Sequence, residues 1–302
     1  MKVFLLGGTG AIGGHALPAL LAAGHEVSAL VRTPYKAAAV TAKGADPVTV
    51  SMFDRAALAE SFRGHDAVVN LATSMPSTAT FVFRRAWRPT ERIRIEGSAT
   101  VVDAALAAGV PRLVQESVTM VYPDRGDEWI DEDVELDPYP NARGNLAAEA
   151  SATRFSEAGH SGVVLRLGLF YRPAARHSEQ FLAMARHHVV PLVGHPESYL
   201  SSIHVADGGA AVAAALQVPS GMYNVVDDEP LTKREYAQAL AIAAGKRSWV
   251  RAPGRLALLL GDRMTSLTRS MRVSNRHFRD ASGWLPRYPS AREGWLATAE
   301  RT

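Results

Sequence analysis

Five glycines within the first fourteen residues, Gly7, Gly8, Gly10, Gly13 and Gly14, constrain this chain more than any other feature. Gly7-Gly8-Thr9-Gly10-Ala11-Ile12-Gly13 follows an apolar run, Lys2 to Leu6, that reads as a strand, and leads into Ala11 to Ala23, whose Ala and Leu spacing reads as a helix. In that context three of the glycines have distinct physical roles. Gly7 permits a sharp turn, Gly10 carries no side chain to hold a pyrophosphate off the backbone, and Gly13 lets the helix pack closely. Phosphates would then meet free N–H groups at the start of a helix. The same residues interrupt what would otherwise pass for a secretory leader, so the segment is expected to remain as folded structure.

The alternation continues downstream. Strands are expected at Glu26 to Val31, Pro47 to Val50, Ala67 to Leu71, Arg112 to Glu116 and Gly162 to Leu167, with helices over Arg55 to Phe62, Thr90 to Ala108 and Ala142 to Ala158. Gly24, Gly64, Gly109 and Gly159 stand where four of the helices should stop. Strand and helix in turn predict an α/β fold with a parallel sheet covered on both faces. After Leu169 the elements shorten and prolines multiply, with a brief strand at Tyr223 to Val226. We therefore expect a dinucleotide-binding domain over 1–169 and a smaller, partly interwoven substrate lobe over 170–302, some of whose segments return to the first domain. Leu256 to Leu260, with Met264 and Leu267, reads as a buried helix face, a membrane-surface helix being the alternative.

Composition removes other classes. At 302 residues and 47% hydrophobic the chain can bury a large core, and a net charge of +3 spread along the sequence gives no reason to expect a nucleic-acid partner. With no cysteine, disulfides, thiolate nucleophiles and Cys-ligated metals are excluded, which fits a cytoplasmic protein. His187 and His188 are poorly spaced as ligands, no metal site is expected, and there is no Gly-x-Ser-x-Gly elbow. No window is apolar enough to span a bilayer.

Nineteen residues beyond Gly13, where an NAD site usually places a carboxylate on the ribose, stands Arg32, followed by Thr33. A planar, permanently charged guanidinium suits a 2′-phosphate, so NADP is expected over NAD, with Lys36 a second phosphate contact or an exposed helix residue.

With these residues placed, the chain resembles the extended short-chain dehydrogenase/reductase family, the NAD-dependent epimerase/dehydratase-like group, over nearly its whole length. Asn70-Leu71-Ala72, Val121-Tyr122-Pro123, Arg166 to Tyr171, Ile203-His204-Val205-Ala206-Asp207 and Tyr223-Asn224-Val225 are similar to family landmarks in order and spacing. The resemblance implies a Rossmann-type doubly wound sheet. It also implies dinucleotide contacts from Gly7, Thr9, Gly10, Ala11, Ile12, Gly13, Arg32, Ser51, Met52, Leu71, Ala72, Thr73 and Asn145. Trp87, Phe170 and Tyr171 are the implied substrate-side residues; the run Phe81 to Pro89 is read either as a lid or as a subunit contact, and a homodimer is a candidate assembly.

The family's proton relay uses a Ser or Thr, a Tyr, and a Lys four residues after the Tyr. Here Leu146-Ala147-Ala148-Glu149 fixes the register, and the three positions fall on Val118, Asn141 and Asn145. The loss can be sized: a phenol ionises near ~10, and an ammonium about 5 Å away at an effective dielectric near ~20 is worth roughly 3 kcal/mol, or about 2 pKa units. A carboxamide supplies neither part. Ser117, Tyr122 and Tyr139 are the candidate substitutes. Two functions follow as expectations: an NADP(H)-dependent oxidoreductase acting on a small, activated substrate without the usual relay, or a non-catalytic protein that senses NADP(H) or a metabolite in the same cleft.

Overall fold

Short buried runs, each closed by a glycine turn, assemble into one parallel sheet. The computed structural model describes residues 1–302 apart from 78–79, 138, 172–175, 191–192, 247–249, 252–260, 262–263 and 301–302. The stretch Leu256 to Leu260 therefore lies outside the described residues. Strands β1 (Lys2–Leu6), β2 (Glu26–Leu30), β3 (Asp46–Val48), β4 (Ala67–Asn70), β5 (Arg112–Val118), β6 (Ser161–Leu167) and β7 (Gly221–Val225) form a seven-stranded sheet in the order β7-β6-β5-β4-β1-β2-β3. Every neighbouring pair is parallel.

Helices cover both faces. α1 (Gly13–Ala22) lies against one side, and α3 (Arg55–Phe62), α5 (Ser98–Ala107) and α6 (Arg143–Glu157) pack on the other. Alternating strand residues divide the core accordingly: Val3, Leu5, Val69 and Val114 meet Ala16, Leu17 and Leu20, whereas Phe4, Leu6, Val68 and Leu113 meet Phe62, Val101 and Phe155. Gly24, Gly64, Gly109 and Gly159 all adopt positive φ directly after a helix, the conformation expected of a helix stop. A further helix, α2 (Pro34–Thr41), follows β2, with Thr33 as its cap.

One expected helix is built differently. Thr90 to Ala108 divides into α4 (Arg88–Arg92), a π-helical turn (Ile93–Gly97) and α5. A β-carbon at Gly97 would press on the Met52 methyl, the movable end of a flexible side chain, so the two residues lie in close contact. The wider π turn rotates the side chains that follow it, a distortion frequent at functional sites.

The C-terminal part interleaves with the first. α8 (Val205–Ala214), counted after α7 (Arg176–Arg186), packs along α1 so tightly that a β-carbon on Gly209 would lie 2.7 Å from His15, and β7 completes the central sheet. Beyond them, α9 (Lys233–Ala243) and the helix Ala291–Ala299 enclose a separate cluster around Tyr171, Tyr236 and Trp295. No helix among the described residues is long and apolar enough to cross a membrane, and no group of three His, Asp or Glu among them could hold a metal.

Candidate functional site

The chain leaves β3 at one edge and re-enters the sheet as β4 beside β1, so β1 and β4 flank the topological switch point. In such sheets ligands bind at the carboxyl ends of the strands there. The glycine loop after β1 is on this edge. Gly7 turns with φ +80°, its carbonyl accepts from the Gly10 N–H at 2.8 Å, and a β-carbon on Gly13 would overlap that carbonyl. Thr9, Gly10 and Ala11 are exposed while Ile12 is buried beneath them. This is an open backbone cradle on a rigid base, and it fits a pyrophosphate.

The segment after β4 abuts the same loop, since a β-carbon on Gly7 would come 2.5 Å from the Leu71 carbonyl oxygen. Asn70 fixes the exit: its Oδ1 accepts from the Ala72 N–H at 3.2 Å and its Nδ2 donates to Gln115 Oε1 at 2.9 Å. Leu71 is buried, Ala72 half-buried and Thr73 exposed. At the end of β2, Arg32 is exposed and makes no ion pair or hydrogen bond with a described residue. A recess of about 210 Å³ between the glycine loop, α1 and α2 is lined by residues that include Thr9, Tyr35, Lys36 and Lys43. Ser51 is exposed and accepts from the Phe53 N–H, Met52 reaches the π turn, and Asp54 caps α3 as its position predicts.

The three relay positions sit at one corner. Val118 ends β5, Asn141 lies in the 3-10 turn Pro140–Ala142, and Asn145 is in the first turn of α6. Val118, Tyr139, Ala142 and Leu146 share one apolar cluster, which ties the end of β5 to the start of α6. Asn145 is buried; its Oδ1 accepts from an Arg94 Nη, and its Nδ2 has no acceptor among the described residues. A second Arg94 Nη donates to both oxygens of Glu116, at 3.0 and 3.3 Å. Burial pushes the Glu116 carboxyl up, and the guanidinium opposes the shift.

Sequence reasoning misses Arg94 and Glu116. Arg94 comes from the π turn, and its stem crosses α6 at Gly144, where a β-carbon would lie 3.2 Å from Arg94 Cβ. A guanidinium paired with Glu116 therefore stands at this corner although residue 145 carries no charge. The only signals in the sequence are a charged residue between Ile93 and Ile95 and another closing an apolar strand.

Two of the candidate substitutes are engaged elsewhere. Ser117 points to the opposite pleat from Val118 and donates to Glu149 Oε1 at 2.5 Å. Tyr122 is fully buried, donates to Asn224 Oδ1 at 2.8 Å and accepts from Arg166 Nη1 at 2.8 Å. Desolvation pushes its phenol up to about 12 despite Arg166, the reverse of an activated acid. Tyr139 shares the apolar cluster with Val118, and Arg269 lies 5.2 Å over its ring.

On the substrate side, Phe170 packs near the glycine loop, since a β-carbon on Gly208 would touch both Ile12 and Phe170. Trp87 donates its indole N–H to the Phe81 carbonyl at 2.8 Å and meets the Phe81 ring edge-on. Tyr171 differs from the expectation: it is a core residue, stacked on Trp295 at 5.2 Å, with its hydroxyl near Asp227 and the Ser290 carbonyl. Its aromatic ring closes the C-terminal cluster rather than an open cleft.

Known proteins share this architecture. The sequence profile described as NAD(P)H-binding matches residues 7–170. A 3-diazoavenalumate denitrifying reductase from a Streptomyces species is 35% identical over 306 residues, covering 97% of this chain and 99% of the relative. Among solved structures, the human epimerase family protein SDR39U1 with NADPH superposes with a TM-score of 0.85 at 23% identity over 100% of both chains. The dTDP-glucose 4,6-dehydratase DesIV from Streptomyces venezuelae, with NAD and TYD bound, gives 0.81 at 21% identity over 99% of this chain and 96% of that one. At those identities the superpositions speak for the fold. From the profile and the nearly end-to-end relative, the chain belongs to the NAD(P)H-binding family, and it shares its fold with the epimerase-family and dehydratase structures.

Proposed function

We propose that this protein is an NADPH-dependent reductase that acts on a small, activated acceptor and does so without a phenol–ammonium relay. The observation that carries the reading is Asn145, a carboxamide held by Arg94 at the position where the family keeps a titrating lysine. Reduced nicotinamide, when bound, supplies the hydride. The glycine loop from Gly7 to Gly13 holds the pyrophosphate, with Arg32 and Lys36 at the 2′-phosphate and Ser51, Met52, Leu71, Ala72 and Thr73 enclosing the remainder. Residues 1–169 form most of the dinucleotide half, to which α8 and β7 return, and the rest of 170–302, with Phe170 and the Trp87 loop, shapes the substrate side.

An oxygen acceptor such as a ketone becomes an alkoxide on reduction and needs an acid; positioned acids are worth about 100- to 10,000-fold. An acceptor that expels a neutral leaving group needs none. A diazonium carbon that takes up hydride releases dinitrogen and leaves a C–H bond, with charge and atoms balanced and no proton demanded of the protein. The Streptomyces relative, a reductase named for denitrifying a diazo compound, supports this class of acceptor.

The test is NADPH fluorescence on mixing, followed by dinucleotide absorbance with ketones, enones, imines and aryl diazonium compounds. Expected are binding of NADPH and turnover of the diazonium set well above the ketones. Ketone turnover that rises and falls with a phenol-like ionisation would overturn the reading, and binding with no turnover across the panel would favour a sensor.

A further inference from the structure

We infer that Arg94 is a positioning residue: it locks the Asn145 carboxamide with its oxygen inward and its N–H2 turned toward the bound dinucleotide, while Glu116 balances the charge. The inference rests on the proposed dinucleotide site and adds to it a device contributed by a different helix.

The orientation of an amide is decided by its partners. Arginine has donors only, so the Asn145 atom facing Arg94 must be the oxygen, and the amide nitrogen is left with two donors and no described acceptor. Asn145 is 1% exposed, and a buried amide N–H2 without a partner is costly. A hydroxyl or carbonyl oxygen of the dinucleotide, lying over the carboxyl ends of β1, β4 and β5, would satisfy it.

Several independent features converge on holding Arg94 in place. The π turn brings it inward, Gly144 leaves room for its stem, and Glu116 receives its second Nη in a forked contact. Both members of the ion pair have side chains no more than 5% exposed. A guanidinium is also the cation that can serve two partners in one plane and stay charged at any working pH. A lysine at 145 would place an ammonium against this guanidinium; the asparagine accepts from it instead.

The experiment is a double-mutant cycle read by NADPH affinity, measured from fluorescence on the purified full chain, with a thermal melt of each variant. Because removing Arg94 alone strands a buried carboxylate, the cycle is built on Glu116→Gln. Arg94→Met and Asn145→Ala should each weaken NADPH binding by about tenfold in that background, and together by no more than about tenfold, because one acts through the other. Additive losses, or no loss with Asn145→Ala, would overturn the inference.

Arg94→Lys in the otherwise native chain gives a second reading if the glutamine background fails to fold. It keeps the ion pair with Glu116 but loses the fork, so the melt should hold while NADPH affinity falls several-fold, about 3- to 10-fold. Unchanged affinity in that variant also overturns the inference. A native chain that binds no NADPH at all would instead sink the proposed function, which keeps the two failures apart.

Discussion

Two buried arginine–carboxylate pairs straddle β5, attached to consecutive residues that point to opposite pleats. On the Ser117 side, Arg166 spends every nitrogen: Nε and one Nη on Glu149, at 3.1 and 2.8 Å, and the other Nη on Tyr122. Ser117 and Asn224 extend that network, and its unpartnered group is the Asn224 amide nitrogen within β7. On the Glu116 side, Arg94 Nε and Asn145 Nδ2 both remain without a described partner, at the edge of the sheet where the glycine loop lies. The same residue chemistry thus serves two ends. The saturated guanidinium ties β5, β6 and α6 together, whereas the Arg94 corner keeps two donors without a described partner beside the proposed dinucleotide site.

The contrast breaks first at the saturated pair. Arg166→Met leaves Glu149 buried and uncompensated, and removing one partner of such a pair costs about 3–5 kcal/mol. We expect a large fall in urea-unfolding stability, with NADPH affinity of the folded fraction changed by less than threefold, about 0.6 kcal/mol. A variant that kept its stability but lost NADPH binding would reverse the roles assigned to the two networks.

A buried cation of a third kind sharpens the comparison. Lys233 has no carboxylate in contact among the described residues; its ammonium donates to the carbonyls of Leu267, Thr268 and Arg269, and burial pulls its pKa down to about 8 from the ordinary 10.5. Between pH 8 and pH 10.5 the unfolded chain holds more protons at this site than the folded one, so this group makes stability rise with pH through that window. Below it the full penalty applies, about 3 kcal/mol, and above it the penalty is gone. Urea unfolding across the window should reveal a rising component in the native chain that Lys233→Met abolishes. Equal slopes in both chains would mean that the three carbonyls compensate for the lost hydration.

How much of this is readable from the sequence follows the same physics. The glycine loop, the four glycine stops and the strands are legible because each depends on local backbone geometry or on a period of two. Glu149 and Arg166 fall inside recognisable segments, although their pairing is not visible there. The Arg94 corner is illegible, because a π turn inside an apparently regular helix shifts the facing of each later side chain, and no periodicity announces it. Tyr171 misleads for a related reason: a landmark in sequence does not say which way a ring turns, and here it turns into the core.

The smallest expected effect concerns an arginine that is not buried at all. Arg32 stands exposed at the end of β2, one residue before the cap of α2, with Lys36 in the following turn. Its stability contribution should be negligible, because surface charges without partners rarely exceed about 0.5 kcal/mol. A forked guanidinium on a phosphate is another matter, since such charge-assisted contacts are worth about 1.5–3 kcal/mol. Arg32→Ala should therefore leave the melt and NADH affinity nearly unchanged and lower the NADPH-over-NADH preference by about tenfold, with Lys36 retaining part of it. Added salt should narrow the same preference in the native chain, because the contact is solvent-facing and screened. A preference that survived both changes would move 2′-phosphate recognition away from β2 and toward Lys43 in the recess between α1 and α2.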